Sequence, residues 1–183
     1  MTVRLPTTLA TDSDSAAVAA LNRYFGDPHL GGDAYVGAHF DSWSSTGDRV
    51  GEADRFTADD LVAVTFLSVQ IPPSAALEIL GPRAEALNAL LAAIGPDRDL
   101  VDERDPLGPG WPAWDLETAL RGLHDVGRTK ATKLIARKRP RLFPIWDSVV
   151  GAVLGAENQH LGSGAGGATR RRRGPAPPVA EHP

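Results

Sequence analysis

The stretch LETALRGLHDVGRTKATKLIA, Leu116 to Ala136, decides how this chain folds. Its apolar residues recur at helical spacing, Leu116, Leu120 and Leu123 on one side of HDVGR and Ala131, Leu134 and Ile135 on the other. The pattern predicts two short helices, over 116–123 and 129–138, closed by a tight turn at Val126-Gly127. Such a hairpin aims the N–H groups at the start of its second helix toward an anion, and glycine lets a phosphate come close. Lys130, Lys133 and Arg137, three and four residues apart, form one basic stripe beside the apolar face, suited to follow a DNA backbone. The plainer alternative is an ordinary αα-hairpin whose lysines are solvated.

Charge concentrates around this hairpin. Between Arg121 and Arg141 lie eight basic residues against one acid, Asp125, a window of +7 in a chain of net charge −4. Residues 156–183 add +2, so the remainder carries −13. A basic segment of this kind is the footprint of an anion or nucleic-acid contact, or else it complements the protein's own acidic surface.

Working outward, an amphipathic helix is expected from about Ser15 to Phe25, with Val18, Leu21 and Phe25 on one face. A loop rich in Gly, Asp and aromatic residues follows, its rings expected to pin it to a core. In FTADDLVAVTFLSVQIPP, residues 56–73, Thr57 and Asp60 make a capping box, with Phe56 and Leu61 placed as a hydrophobic staple. The run Leu61 to Val69 is apolar on most sides, so it is expected to be the central, largely buried helix, ended by Pro72 and Pro73. Short helices are predicted over 74–80 and 83–94, and a last one from near Pro144 through Val149, Val150, Val153 and Leu154. No segment shows the alternation of a strand, so the fold class is all-α: a helix-hairpin-helix bundle over residues 1–155.

The tail 156–183 changes composition abruptly, nine of its 28 residues being Gly or Pro, and is expected to be disordered. Because it follows an apolar helix with no later partner, it is expected to be a frameshift product that leaves the helical domain truncated. Apolar helical periodicity in another reading frame beyond the Leu154 codon would bear this out.

Several chemistries are excluded. The chain has no cysteine, which removes disulfides, zinc-thiolate sites, iron–sulfur clusters and thiol nucleophiles. It has no apolar run long enough for a bilayer and no signal-peptide pattern at its start, so a cytoplasmic protein is expected. His29, Asp33, His39 and Asp41 lack the spacing of a metal site, and neither a metal nor another cofactor is expected. Trp111 and Trp114 read as packing anchors and His124 as a turn residue.

Three pieces, in order, resemble the helix-hairpin-helix DNA glycosylases of the endonuclease III type. LVAVTFLSVQ (61–70) is similar to their early helix ending in Leu-Ser-x-Gln, and LHDVGRTKA (123–131) to their Leu-Pro-Gly-Val-Gly-Arg-Lys-Thr-Ala hairpin. FPIWDSVVGAVL (143–154) is similar to the segment that holds their catalytic aspartate, and the interval of 18 from Thr129 to Asp147 matches theirs between lysine and aspartate. The resemblance implies that Asp147 stabilises a cationic sugar and activates water, and that Gln70 contacts the opened duplex or the base. It further implies that Val126, Gly127 and Arg128 of the turn, with Lys130, Lys133 and Arg137, hold phosphates of duplex DNA. Thr129 stands where the family has its Schiff-base lysine, so any hydrolysis would be monofunctional, without β-lyase activity. Asp125 replaces the first hairpin glycine and sets a negative charge where a phosphate would approach.

Across about residues 20–155 the chain also resembles an uncharacterised actinobacterial family, through YVGAHFDSW, FTADDLVAVTFLSVQIP and VGRTKATKLIARKRPRLFPIWDSVV. Three roles stay open: nucleic-acid binding, monofunctional glycosylase-like N-glycosidic hydrolysis, and a non-catalytic protein-interaction domain. On the rival reading Asp147 is simply the N-cap of the last helix.

Overall fold

A computed structural model describes residues 14–26, 33–104 and 108–154. His29 and the tail from residue 156 lie outside the described residues. Among those described the protein is all-α, with helices α1 (Asp14–Phe25), α2 (Ala58–Ala63), α3 (Pro73–Leu80), α4 (Ala84–Ala93), α5 (Pro112–Arg121), α6 (Arg128–Lys138) and α7 (Ser148–Val153). No helix among them is long and apolar enough to cross a membrane.

The core lies where α5 packs against α4 and α6. Leu87 and Leu91 of α4, Leu116 and Leu120 of α5, and Leu134 and Ile135 of α6 are all essentially inaccessible. Trp111 stacks on Phe143 at 5.8 Å and seals one end of this layer, the packing role expected of it.

The expectation of a central helix over 61–69 is corrected. The capping box of Thr57 and Asp60 forms, but α2 ends at Ala63, and Val64–Leu67 tightens into a 3-10 turn. Thr65 Oγ1 donates to Val62 O at 2.6 Å, and Ser68 stops the turn in the left-handed region at φ 58°. Within 61–69 only Ala63 and Val64 are buried, and Val62 is exposed. The most buried helix is instead α6, from Ala131 to Arg137, although its sequence is the most basic in the chain. Apolar content misleads here because the cations of α6 find internal carbonyl and carboxylate partners, which offset the cost of burying them.

Three other elements depart from their sequence patterns. Helix α5 starts at Pro112, four residues before the expected Leu116, and ends at Arg121, short of Leu123. The last helix begins at Ser148, not near Pro144, since residues 144–147 stay non-helical and Asp147 caps the start. Helix α1 forms as expected, yet none of its residues is buried, and Val18, Leu21 and Phe25 are each more than half exposed. It is held by its C-terminal end, where Tyr35 N–H donates to Tyr24 O at 3.0 Å and the two rings stack at 5.8 Å.

The aromatic loop is pinned to the core as expected. Phe40 and Phe56 are buried, and Trp43 meets Phe66 edge to face at 5.6 Å. Its backbone is held by Arg139, which is 1% exposed and donates to Ala53 O at 2.9 Å while ion-pairing with Asp54. The same guanidinium donates to Gly95 O (2.6 Å) and Leu91 O (3.3 Å), closing the C-terminal end of α4.

Replacing Arg139 by Met leaves those buried carbonyls without donors and should cost about 3 to 5 kcal/mol in denaturant unfolding. Asp54→Asn, at the exposed end of the pair, should cost less than about 1 kcal/mol. Equal losses would show that the ion pair, not the carbonyl cage, holds the loop.

Candidate functional site

The hairpin turn between α5 and α6 is built by its sequence. Leu123 and Val126 are buried and anchor it, with Val126 N–H donating to Leu123 O at 3.2 Å. Asp125 between them takes the left-handed conformation at φ 56°, which Asp tolerates better than most residues. Gly127 is the N-cap of α6 in extended conformation, and no side chain caps the helix there. A Cβ on Gly127 would meet nothing within 4 Å, so the space beside Gly127 is open.

Beside that turn lies an open cleft of about 530 Å³, lined by Thr65, Ser68, Val69, Gln70, Thr129 and Lys130. The structure therefore brings Gln70 and Lys130 together at the start of α6. Thr65, Ser68 and Thr129 join them as hydroxyl donors or acceptors. Sequence reasoning gave the two hydroxyls of Thr65 and Ser68 no role. Their signal was the interruption of an apolar run by Thr and Ser just before Gln70.

The basic stripe is corrected. Lys133 and Arg137 do not form a solvated face with Lys130. Lys133, 5% exposed, donates to Leu67 O at 3.0 Å and lies 3.5 Å from Asp147 Oδ2. Arg137, 2% exposed, donates to Phe40 O and Trp43 O, and its Nε lies 3.5 Å from Asp60 Oδ1. Burial, with Arg49 nearby, pushes the Arg137 guanidinium below its ordinary pKa, and burial lowers Lys138 as well.

Every cation of the +7 window in fact faces a carboxylate. Arg121 and Arg128 share Glu117 at 3.4 and 3.2 Å. Lys130 pairs with Asp125 at 3.2 Å, and Lys138 with Asp60 at 2.7 Å. Arg139 pairs with Asp54, and Arg141 with Asp99 at 2.7 Å. Local charge density thus reports internal pairing with the acidic remainder of the chain, and it carries no argument for an external anion.

Asp147 performs the capping task. Its Oδ1 accepts from Val149 N–H at 3.0 Å and Val150 N–H at 2.9 Å, and Oδ2 is the atom nearest Lys133. It is not among the residues that line the cleft. Among the described residues no group of three His, Asp or Glu side chains converges on a metal-binding geometry.

Asn retains an oxygen for the cap while Ala does not, so Asp147→Ala should be less stable than Asp147→Asn by about 1 kcal/mol in urea unfolding. The loss common to both variants measures the Lys133 contact. Identical midpoints would mean that the carboxylate does not cap α7.

No curated protein and no solved structure matches the chain. A family description does match, over residues 17–173. That span is most of the chain, and the protein belongs to this family of unknown function, DUF6308.

Proposed function

We propose that the protein is a non-catalytic, nucleic-acid-binding helix-hairpin-helix protein that grips the sugar–phosphate backbone of a duplex at the α5–α6 turn. The observation that carries this reading is the open N-terminus of α6. Gly127 leaves room for a phosphate oxygen and brings no side chain of its own to cap α6, and the adjoining cleft offers Gln70 and the hydroxyls of Ser68 and Thr129.

Binding of this kind uses neutral donors. Since Lys133 and Arg137 are engaged internally, the salt dependence should be shallow, with a slope of about one unit or less in log K against log salt. A stripe of free cations would give about three. The second reading, monofunctional glycosylase-like hydrolysis, is favoured by one feature: Gln70 shares a cleft with Thr129 and Lys130. Base release from a panel of damaged duplexes that is lost in Asp147→Asn would establish it, and silence of the wild-type protein on the panel would remove it.

The decisive variant for the binding reading is Gly127→Asn. Its side-chain oxygen takes the N–H groups that a phosphate would use, and Asn is at least as good an N-cap as Gly, so stability should hold or rise by a few tenths of a kcal/mol. Duplex binding should fall at least tenfold. Measurements belong in a background where Arg170, Arg171, Arg172 and Arg173 are changed to Gln, so that the arginine run cannot supply the affinity. Unchanged binding in Gly127→Asn would overturn the hairpin reading.

A further inference from the structure

The end of α6 leaves one donor unmet. Two nitrogens of the Arg137 guanidinium donate to Phe40 O and Trp43 O. The third, Nε, makes no hydrogen bond, and among the described residues it is the one buried side-chain nitrogen or oxygen of which this is true. Asp60 Oδ1 lies 3.5 Å from it, too far for a normal N–H···O bond. That carboxylate is held where it is, because Thr57 N–H, Thr57 Oγ1 and Lys138 Nζ converge on its other oxygen at 2.8, 3.2 and 2.7 Å. A cationic N–H buried without an acceptor costs more than an ordinary hydrogen bond contributes, so Nε calls for a third group.

Arg137 also borders a small cavity of about 50 Å³ between the end of α6 and the segment 44–60. Phe40 and Trp43, the acceptors of the other two nitrogens, do not border it, which leaves Nε to face it. The walls mix donors with acceptors. Arg49 and Lys138 bring positive charge, Glu52, Asp59 and Asp60 bring negative charge, and the Ser44 hydroxyl serves either way. Hydrogen bonds from Ser45 and Ser44 hold the Asp59 carboxyl below its ordinary pKa, so it stays an acceptor. An anion would meet three carboxylates there, and a metal ion would meet three cations. The occupant that suits such walls is neutral, accepting on one side and donating on the other. The space matches one or two water molecules, at about 30 Å³ each.

We infer that this cavity is a binding site for an ordered water molecule, which accepts from Arg137 Nε–H and donates to the carboxylates around it. The water completes the acceptors of a guanidinium that clamps the aromatic loop at Phe40 and Trp43. Solvent is thereby a structural part of the joint between α6, the start of α2 and the loop before it. The site is independent of any ligand at the α5–α6 turn.

The test is a high-resolution crystal structure of the full chain, grown in sodium bromide and measured at the bromine absorption edge. The result expected is a peak of density about 2.9 Å from Arg137 Nε, with a second polar contact to a carboxylate of the cavity wall and no anomalous signal. An anomalous peak at that position would overturn the inference in favour of a halide site. Nε–H donating directly to Asp60 Oδ1 would overturn it by removing the unmet donor. A cavity without density beside an Nε that still lacks a partner would overturn it as well, since the cost of the unmet donor would then be borne by the fold itself.

Discussion

The burial of the last turns of α6 is the constraint on which the rest of the structure depends. Arg137 and Arg139 are almost wholly inaccessible and Lys138 nearly so, and such cations are tolerated only when their donors are met. They are met mainly by backbone carbonyls: Phe40 and Trp43 for Arg137, Glu52 for Lys138, and Ala53, Leu91 and Gly95 for Arg139. One helix end thereby organises a loop that has little regular structure of its own and closes the C-terminal end of α4. Asp60 serves the same cluster from below, accepting from Thr57 N–H at 2.8 Å in the capping box of α2 and pairing with Lys138. The start of α2 and the end of α6 are so fastened by one carboxylate.

This arrangement shapes what the surface has left to offer. Cations that hold carbonyls in the interior are not available to follow a phosphate chain. Around the α5–α6 turn the cleft is lined mainly by neutral groups: the hydroxyls of Thr65, Ser68 and Thr129 and the Gln70 amide. The cation beside them, Lys130, is matched by Asp125 at the turn. The binding proposed there would depend on close fit to an oxygen acceptor and little on long-range attraction, which suits a protein whose net charge is −4.

The helical hairpin itself was legible because its apolar residues obey local periodicity, and the same logic located α3 and α4 to within a residue or two. The capping box was legible because Thr57 and Asp60 are three residues apart and need no distant partner. The Asp147 cap was legible as an alternative on the same ground. Burial was misjudged where distant partners decided it. Lys133 and Arg137 look solvated in the sequence, since their acceptors, Leu67 O and Phe40 O, lie 66 and 97 residues away. Val18, Leu21 and Phe25 look like a core face, and the packing that would bury them is missing among the described residues.

From the sequence alone, then, came the all-α class, the hairpin with its open glycine, the cap positions and the exclusion of thiol chemistry, each a property of residue types within a few positions of one another. The tertiary structure decided which helix is central, which charges are internal and which residues share a cleft. Burial and ion pairing are settled by groups far apart in the chain, and a +7 window has the same sequence whether its partners are phosphates or the protein's own carboxylates and carbonyls.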